Sequence, residues 1–171
     1  MLISNPTNEQ WEQLSTNCFA APEDMEDINA FPYNNIRPER GQLLPFLQRI
    51  SSGITTWLIE EEGQIVGFLN FGNVIPWQPH AFGMVIGRNF ANKGYAKKAL
   101  REFIAEKNAS NFPSIHGYCH RDNIGMIRVM QSLGFIQEMD YRDPEDANAI
   151  KFTLVLQTLG CRIPAKGLTC N

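Results

Sequence analysis

Residues 81 to 100, AFGMVIGRNFANKGYAKKAL, change pattern halfway along. Apolar residues up to Ile86 predict a strand, a polar turn with one glycine follows, and from Tyr95 apolar residues recur at helical spacing. The first turn of a helix leaves about four backbone N–H groups unpaired and carries about half a positive charge. A phosphate group binds at such an end, and Gly94 would let the chain approach it closely. An ordinary strand-to-helix turn, in which Gly94 only adopts a backbone angle that other residues disfavour, is also consistent with this sequence.

The two common phosphate-binding motifs are absent from the sequence. It contains no GxxxxGK[ST], which excludes a P-loop, and no GxGxxG after a strand, which excludes the dinucleotide fingerprint. Lys93 and Lys97 nevertheless bring positive charge to the turn, and Ala96 leaves the approach open. If the turn binds a phosphate, it belongs to another class.

Composition limits the kinds of protein that this chain can be. Its 171 residues and 19.4 kDa predict one domain over residues 1–171, and 43% hydrophobic with 19% charged residues is typical of a soluble globular protein. A net charge of −3 argues against a nucleic-acid partner. No apolar run approaches the roughly 20 residues that span a bilayer, and Met1 leads into polar residues. We therefore expect no membrane partner and a cytoplasmic location.

The four cysteines are scattered along the chain and show no metal-ligand spacing. The sequence thus predicts no metal site, and free thiols are the expectation for a cytoplasmic protein of this size. A pairing of Cys161 with Cys170 in the C-terminal tail stays open.

The periodicity of the remaining sequence predicts a mixed α+β domain. An N-terminal helix would have Thr7 or Asn8 as its N-cap, and a helix that begins near residue 124 would have Asn123 as its N-cap and Gly134 as its stop. The clearest hairpin signal is TTWLIEEEGQIVGFLNFG. The predicted elements in order are a helix from residue 8, a helix over 42–50, strands over 57–60, 65–71 and 81–86, a helix over 95–108, a strand over 114–120, the helix after Asn123, and two strands within 135–143 and 149–157.

Two motifs in this order resemble the GNAT superfamily of acyl-CoA-dependent N-acyltransferases, most closely the branch that contains the bacterial ribosomal-protein N-terminal acetyltransferases. The pyrophosphate loop of that family, R/Q-x-x-G-x-G/A, is similar to ANKGYA at Gly94 and Ala96. Its second signature, N-x-x-S/A before a helix that ends in L-G-F, fits at Asn123 and at residues 133–135. The resemblance covers roughly residues 55 to 156 and leaves 157–171 as a tail.

The resemblance implies a mostly antiparallel central sheet flanked by helices, with two central strands splayed apart. It implies an acetyl-CoA-dependent N-acetyltransferase in which a primary amine attacks the thioester directly in a ternary complex. Acetyl-CoA would be the co-substrate, no metal would be needed, and the acceptor would be a peptide N-terminus, a polyamine or another small amine. The alternative is a non-catalytic acyl-CoA-binding or sensing domain of the same fold. The oligomeric state stays open, with a homodimer as one option.

The resemblance also implies which residues hold acetyl-CoA. The backbone of the strand before the loop would stabilise the developing oxyanion, the loop would hold the pyrophosphate, and Asn123 would contact the pantetheine arm, cap its helix, or do both. Four positions depart from the family pattern: Ala91, where the family has Arg or Gln; Asn92, where Gly is common; Met126, in place of the small Ser or Ala; and Met130, where many relatives have a proton-donating tyrosine that methionine cannot replace. The implied cofactor-binding residues are Met84, Val85, Ile86, Ala91, Asn92, Lys93, Gly94, Tyr95, Ala96, Lys97 and Asn123.

The catalytic base is the least defined part of the sequence. The strand over residues 81–86 carries no Glu, Asp or His. Alternation along the next strand places His116, Tyr118 and His120 on one face and Cys119 on the other. His120 is the candidate base because the unperturbed pKa of imidazole suits proton transfer near neutral pH. A polar residue that merely ends a strand is the competing interpretation, and Cys119 is expected to be a small buried thiol.

Substrate selection is expected in the N-terminal third of the chain. The acidic segment over residues 20–31 has aromatic neighbours and would attract a cationic amine. A solvated acidic loop with no role in substrate binding is also consistent with this sequence.

Overall fold

The computed structural model describes residues 1–20, 54–72, 80–144 and 146–156. The predicted helix over 42–50, residues 21–31 of the acidic segment, and the tail with Cys161 and Cys170 lie outside these residues.

Seven strands form one sheet in the order β1-β2-β3-β4-β5-β7-β6, and every neighbouring pair is antiparallel except β4 and β5. This confirms the α+β class and the mixed, mostly antiparallel sheet. The strands are β1 (Leu2–Ile3), β2 (Ile54–Glu61), β3 (Gln64–Gly72), β4 (Ala81–Ile86), β5 (Ser114–His120), β6 (Ile136–Gln137) and β7 (Ala149–Val155). The helices in the described part of the chain are α1 (Asn8–Cys18), α2 (Tyr95–Ala109) and α3 (Ile124–Ser132), with a 3-10 turn at Arg88–Phe90.

The helix starts follow from local capping chemistry. Thr7 accepts a hydrogen bond from the Gln10 N–H at 3.3 Å, and the Gln10 side chain accepts from the Thr7 N–H at 2.9 Å, which is a complete capping box. Asn123 caps α3 by accepting from the Met126 N–H at 3.0 Å. Both predicted N-caps are confirmed.

Three local features differ from the sequence prediction. Strand β1 and the 3-10 turn were not predicted, because two and three residues are too short for a periodic signal. Strand β6 covers only Ile136–Gln137, because the chain turns after it, with the Tyr141 N–H bonded to the Glu138 carbonyl.

The sheet has a packed core on each face. Helices α2 and α3 cover one face, where Leu100, Phe103 and Met130 join Ile115 and Phe152. Helix α1 covers the other face over β2 and β3, through Trp11, Leu14 and Cys18 packed against buried side chains of those strands and against Val85. Among the described residues, no helix is both long and apolar enough to cross a membrane.

Strands β4 and β5 pair over a short distance and then separate. Their register contains only two pairs, Ala81 with His116 and Phe82 with Gly117. A Cβ on Gly117 would lie 2.7 Å from Met130 Sδ and 2.6 Å from the Phe82 ring, so any other residue would force these side chains to shift where the strands part. The predicted splayed central strands are confirmed.

Candidate active site

A cavity of about 280 Å³ lies between the open end of β4, the turn before α2 and the first turns of α3. It begins where β4 and β5 have separated, and its wall mixes apolar side chains with exposed backbone. The lining residues are Met84, Ile86, Phe90, Ala91, Asn92, Gly94, Tyr95, Ala96, Lys97, Asn123, Gly125, Met126 and Val129.

The turn before α2 presents backbone donors to this cavity. Asn92 and Gly94 adopt left-handed backbone angles, with φ values of 62° and 82°. Gly94 is the N-cap of α2 and makes no side-chain cap, and the helix closes with the Lys98 N–H on the Gly94 carbonyl at 3.1 Å. Within the described part of the chain, the N–H groups of residues 92–97 have no hydrogen-bond acceptor. This arrangement suits an anion such as a pyrophosphate.

The backbone of β4 supplies a second set of donors. The Gly87 N–H donates to the Val66 carbonyl at 3.0 Å, so alternation directs the N–H of Val85 towards β3 as well. The same alternation directs the N–H groups of Met84 and Ile86 towards the gap left by β5. The sequence had named all three residues as backbone candidates, and the strand register favours Met84 and Ile86.

Asn123 serves the helix and reaches the cavity at the same time. Its Oδ1 is used by the cap of α3, whereas a side-chain amide also carries two N–H donors. Because Asn123 lines the cavity, the capping role and the predicted ligand contact are compatible. The contact itself stays a prediction.

The lysines around the turn have different surroundings. Lys97 lines the cavity, whereas Lys93 lies with its Nζ 5.4 Å from the centre of the Phe90 ring. Lys98 Nζ is 2.5 Å from Glu61 Oε2, so its charge is compensated. Of the two lysines named from sequence, Lys97 is therefore better placed to face a ligand in the cavity.

The residues considered for proton transfer occupy separate places. His120 is at the end of β5, where its Nε2 lies 2.7 Å from Asp146 Oδ2, and its catalytic role stays a prediction. Cys119 is buried on the α2 and α3 face, and burial raises the pKa of its thiol to about 12, which makes it a poor nucleophile. Met130 is fully buried and fills space beside Gly117.

Phe90, Gly125 and Val129 line the cavity but were not named from the sequence. Apolar residues in a cavity wall belong to no sequence motif. The one indication of their position is that Met126 and Val129 follow the Asn123 cap at helical spacing and so lie on the same face of α3. Among the described residues, no group of three or more His, Cys, Asp or Glu side chains could hold a metal ion.

The splayed β4 and β5 strands define an α+β fold whose turn before α2 carries N–H groups that have no acceptor among the described residues. The sequence matches the family model described as the acetyltransferase (GNAT) domain over residues 1–136. The chain therefore belongs to the GNAT acetyltransferase family, whose co-substrate is acetyl-CoA. This match begins earlier and ends earlier than the region of resemblance over 55–156.

Solved structures share the fold at low sequence identity. The microcin C7 self-immunity acetyltransferase MccE, solved with acetyl-CoA and AMP, superposes with a TM-score of 0.69 and 19% identity over 91% of each chain. RimL, a ribosomal L7/L12 α-N-protein acetyltransferase solved with coenzyme A, gives 0.66 and 13% over 91% of this chain and 93% of its own. The ribosomal-protein-alanine N-acetyltransferase of Brucella melitensis gives 0.63 and 17% over 91% and 100%. No curated protein matches the chain by sequence.

Proposed function

We propose that this protein transfers the acetyl group of acetyl-CoA to a primary amine by direct attack in a ternary complex. Acetyl-CoA supplies the activated acyl group when it is bound. The N–H groups of residues 92–97 hold the pyrophosphate, Asn123 contacts the pantetheine arm, and the N–H groups of Met84 and Ile86 stabilise the oxyanion.

The observation that carries this proposal is the continuity of the cavity with two sets of backbone donors that have no acceptor among the described residues. Diverging strands expose the N–H groups of Met84 and Ile86 at one end, and the uncapped start of α2 exposes those of residues 92–97 at the other. The apolar wall between them, formed by Phe90, Met126 and Val129, suits a flexible chain of alternating polar and apolar groups.

We propose an α-amino group, as at a peptide N-terminus, as the acceptor. Its pKa of roughly 7.7 to 8.0 leaves an appreciable neutral fraction at physiological pH, whereas a lysine amine near 10.4 needs much more help. Strand β4 supplies no carboxylate to give that help. Two of the structural relatives are described as N-acetyltransferases of ribosomal proteins, which supports testing peptide N-termini before polyamines and other small amines.

Thiol release from acetyl-CoA in the presence of an amine panel tests the proposal. The panel contains peptides of varied N-termini, the same peptides with a blocked N-terminus and a free lysine, and a polyamine. Release with free N-termini, together with one added acetyl group per peptide in the mass spectrum, is the expected result. Tight acetyl-CoA binding without release from any amine would instead identify the non-catalytic binding domain. Efficient turnover of lysine side chains alone would contradict the acceptor class.

A further inference from the structure

Strand β5 carries a histidine at the point where it leaves β4. His116 pairs with Ala81 of β4, and the two strands separate after the next residue. Ile115 and Cys119 face the core under α2 and α3, so alternation directs His116 and Tyr118 to the opposite face. His116 therefore lies at the vertex of the gap, on the face opposite the helices that wall the cavity.

A hydrogen-bonded chain fixes the imidazole of His116. Its Nδ1 is 2.8 Å from Thr153 Oγ1, and the Thr153 hydroxyl donates to Glu138 Oε1. Lys151 Nζ lies 2.9 Å from the same carboxylate oxygen. Burial opposes ionisation of Glu138, but the hydrogen bonds from Thr153 and Lys151 outweigh it, so the pKa of Glu138 is lowered and the group is a carboxylate at neutral pH.

The direction of this chain determines the tautomer of His116. A carboxylate only accepts hydrogen bonds, and a hydroxyl has one hydrogen, so Thr153 uses its hydrogen on Glu138. Thr153 must then accept at its contact with His116, which means that Nδ1 carries the hydrogen. The neutral ring consequently has its lone pair on Nε2, to which no described residue is hydrogen-bonded.

Burial, together with the nearby charges, keeps the ring of His116 neutral. Burial lowers its pKa, the Lys151 ammonium lowers it further, Glu138 raises it, and His80 beside the start of β4 lowers it. Tyr118, two residues along β5, stays a neutral phenol because burial raises its pKa. A neutral imidazole whose Nδ1 is held and whose Nε2 is open is a proton acceptor.

We propose that His116 is the general base of the acetyl transfer and that Thr153 and Glu138 are its positioning residues; this inference rests on the proposed function. The Nε2 lone pair takes a proton from the acceptor nitrogen as that nitrogen bonds to the thioester carbonyl carbon. The carbon–sulfur bond breaks, and its electron pair leaves with the sulfur as thiolate. Glu138, acting through Thr153, stabilises the imidazolium that results.

His120 is placed differently for the same task. Its Nε2 lies 2.7 Å from Asp146 Oδ2, so a carboxylate stands at the nitrogen that would have to accept the proton, and His120 lies four residues beyond His116 on β5. The two histidines share a face, which makes each a matched control for the other.

Rates of acetyl transfer against pH for His116→Asn and His120→Asn test the assignment. Asparagine keeps an N–H donor near Nδ1, so the contact with Thr153 is preserved while the base is lost. We expect His116→Asn to lower kcat/KM for the amine by about a hundredfold or more, to leave only the deprotonation of the amine itself in the acidic limb of the pH profile, and to leave acetyl-CoA affinity unchanged. His120→Asn should lose at least about tenfold less. Equal losses, or a His116→Asn profile identical to wild type, would overturn the proposal.

Substitutions at Thr153 test whether its hydrogen bonds to His116 and Glu138 position the imidazole. Thr153→Val removes the hydroxyl at nearly the same volume and is expected to lower kcat about tenfold and shift the acidic limb, whereas Thr153→Ser should restore both. If Thr153 only supported the fold, Thr153→Val would leave the acidic limb of the pH profile unchanged. That result would overturn the positioning role of Thr153 and Glu138.

Long-range ¹H–¹⁵N spectra of the imidazoles give a readout that does not depend on turnover. We expect wild-type His116 near neutral pH to carry its hydrogen on Nδ1 and Thr153→Val to lose that preference. A hydrogen on Nε2 in a protein that transfers acetyl groups would overturn the role of His116 alone. A wild-type protein that binds acetyl-CoA but acetylates no amine would overturn the proposed function, and the base assignment with it.

Discussion

Gly94→Val perturbs the proposed pyrophosphate loop through its backbone. Gly94 has φ 82° and ψ 1°, and a Cβ built there meets no atom within 4 Å, so the substitution meets no clash in the free protein. Its cost is conformational, because the left-handed region disfavours a residue with a Cβ by about 1–2 kcal/mol, and valine is among the worst cases. The loop of the free variant relaxes out of the left-handed region, so acetyl-CoA has to restore that conformation when it binds. The conformational energy is therefore lost from the free energy of binding. At 1.4 kcal/mol per tenfold, the expected loss of acetyl-CoA affinity is about 5- to 30-fold.

Gly63→Val is the matched control for this substitution. Gly63 lies in the β2–β3 turn with φ 76°, and a Cβ there also meets nothing within 4 Å, but the residue is absent from the cavity wall. Gly63→Val should lose about 1–2 kcal/mol of stability, which for a chain of this size is roughly 2–8 °C in Tm, whereas Gly94→Val should lose less, because its free loop relaxes. Calorimetry should show weaker acetyl-CoA binding for Gly94→Val alone. Unchanged affinity in a folded Gly94→Val protein, or an equal loss in Gly63→Val, would refute the loop assignment.

Three further substitution or labelling experiments test the surroundings of the cavity. Met130→Leu should keep the transfer rate within about tenfold and cost under about 1.5 kcal/mol, whereas Met130→Ala should cost about 2–5 kcal/mol in denaturant unfolding, because Met130 is fully buried. Asn123→Ser should keep the N-cap of α3, and Asn123→Ala should cost about 1 kcal/mol of stability. Weaker acetyl-CoA binding in both variants identifies a ligand contact, whereas an unchanged Kd in the serine variant means that Asn123 only caps the helix. Alkylation of Cys119 at pH 8, followed by peptide mass spectrometry, should be at least about a hundredfold slower than that of an exposed thiol, because burial raises its pKa to about 12; rapid labelling would contradict its burial.

Much of the fold was predictable because its signals are local. The Asn123 cap, the Gly94 turn and the run of β5 each follow from a few neighbouring residues whose chemistry or periodicity has one common use. The two family motifs then placed these elements in a known order. The cavity residues on the turn before α2 were predictable for the same reason.

The parts that sequence did not reveal depend on distant contacts. Met130 and Phe82 fill the space beside Gly117, where the strands part, and no local pattern records that packing. The hydrogen bonds between His116 and Thr153 and between Thr153 and Glu138 join residues that are 37 and 15 positions apart in the sequence. Taken singly, each residue is an ordinary polar side chain, and the sequence does not show that the three meet. Sequence favoured His120 for its nominal pKa, but the partners of a histidine determine which ring nitrogen is available.

Backbone hydrogen exchange with and without acetyl-CoA tests the central claim most directly. The N–H groups of residues 92–97 have no acceptor within the described part of the chain, so they should exchange quickly in the free protein. Acetyl-CoA is expected to protect them, together with the N–H groups of Met84 and Ile86, while the Gly63 turn keeps its rate and serves as an internal reference. Slowing confined to other segments, with residues 92–97 unchanged at saturating acetyl-CoA, would contradict the account.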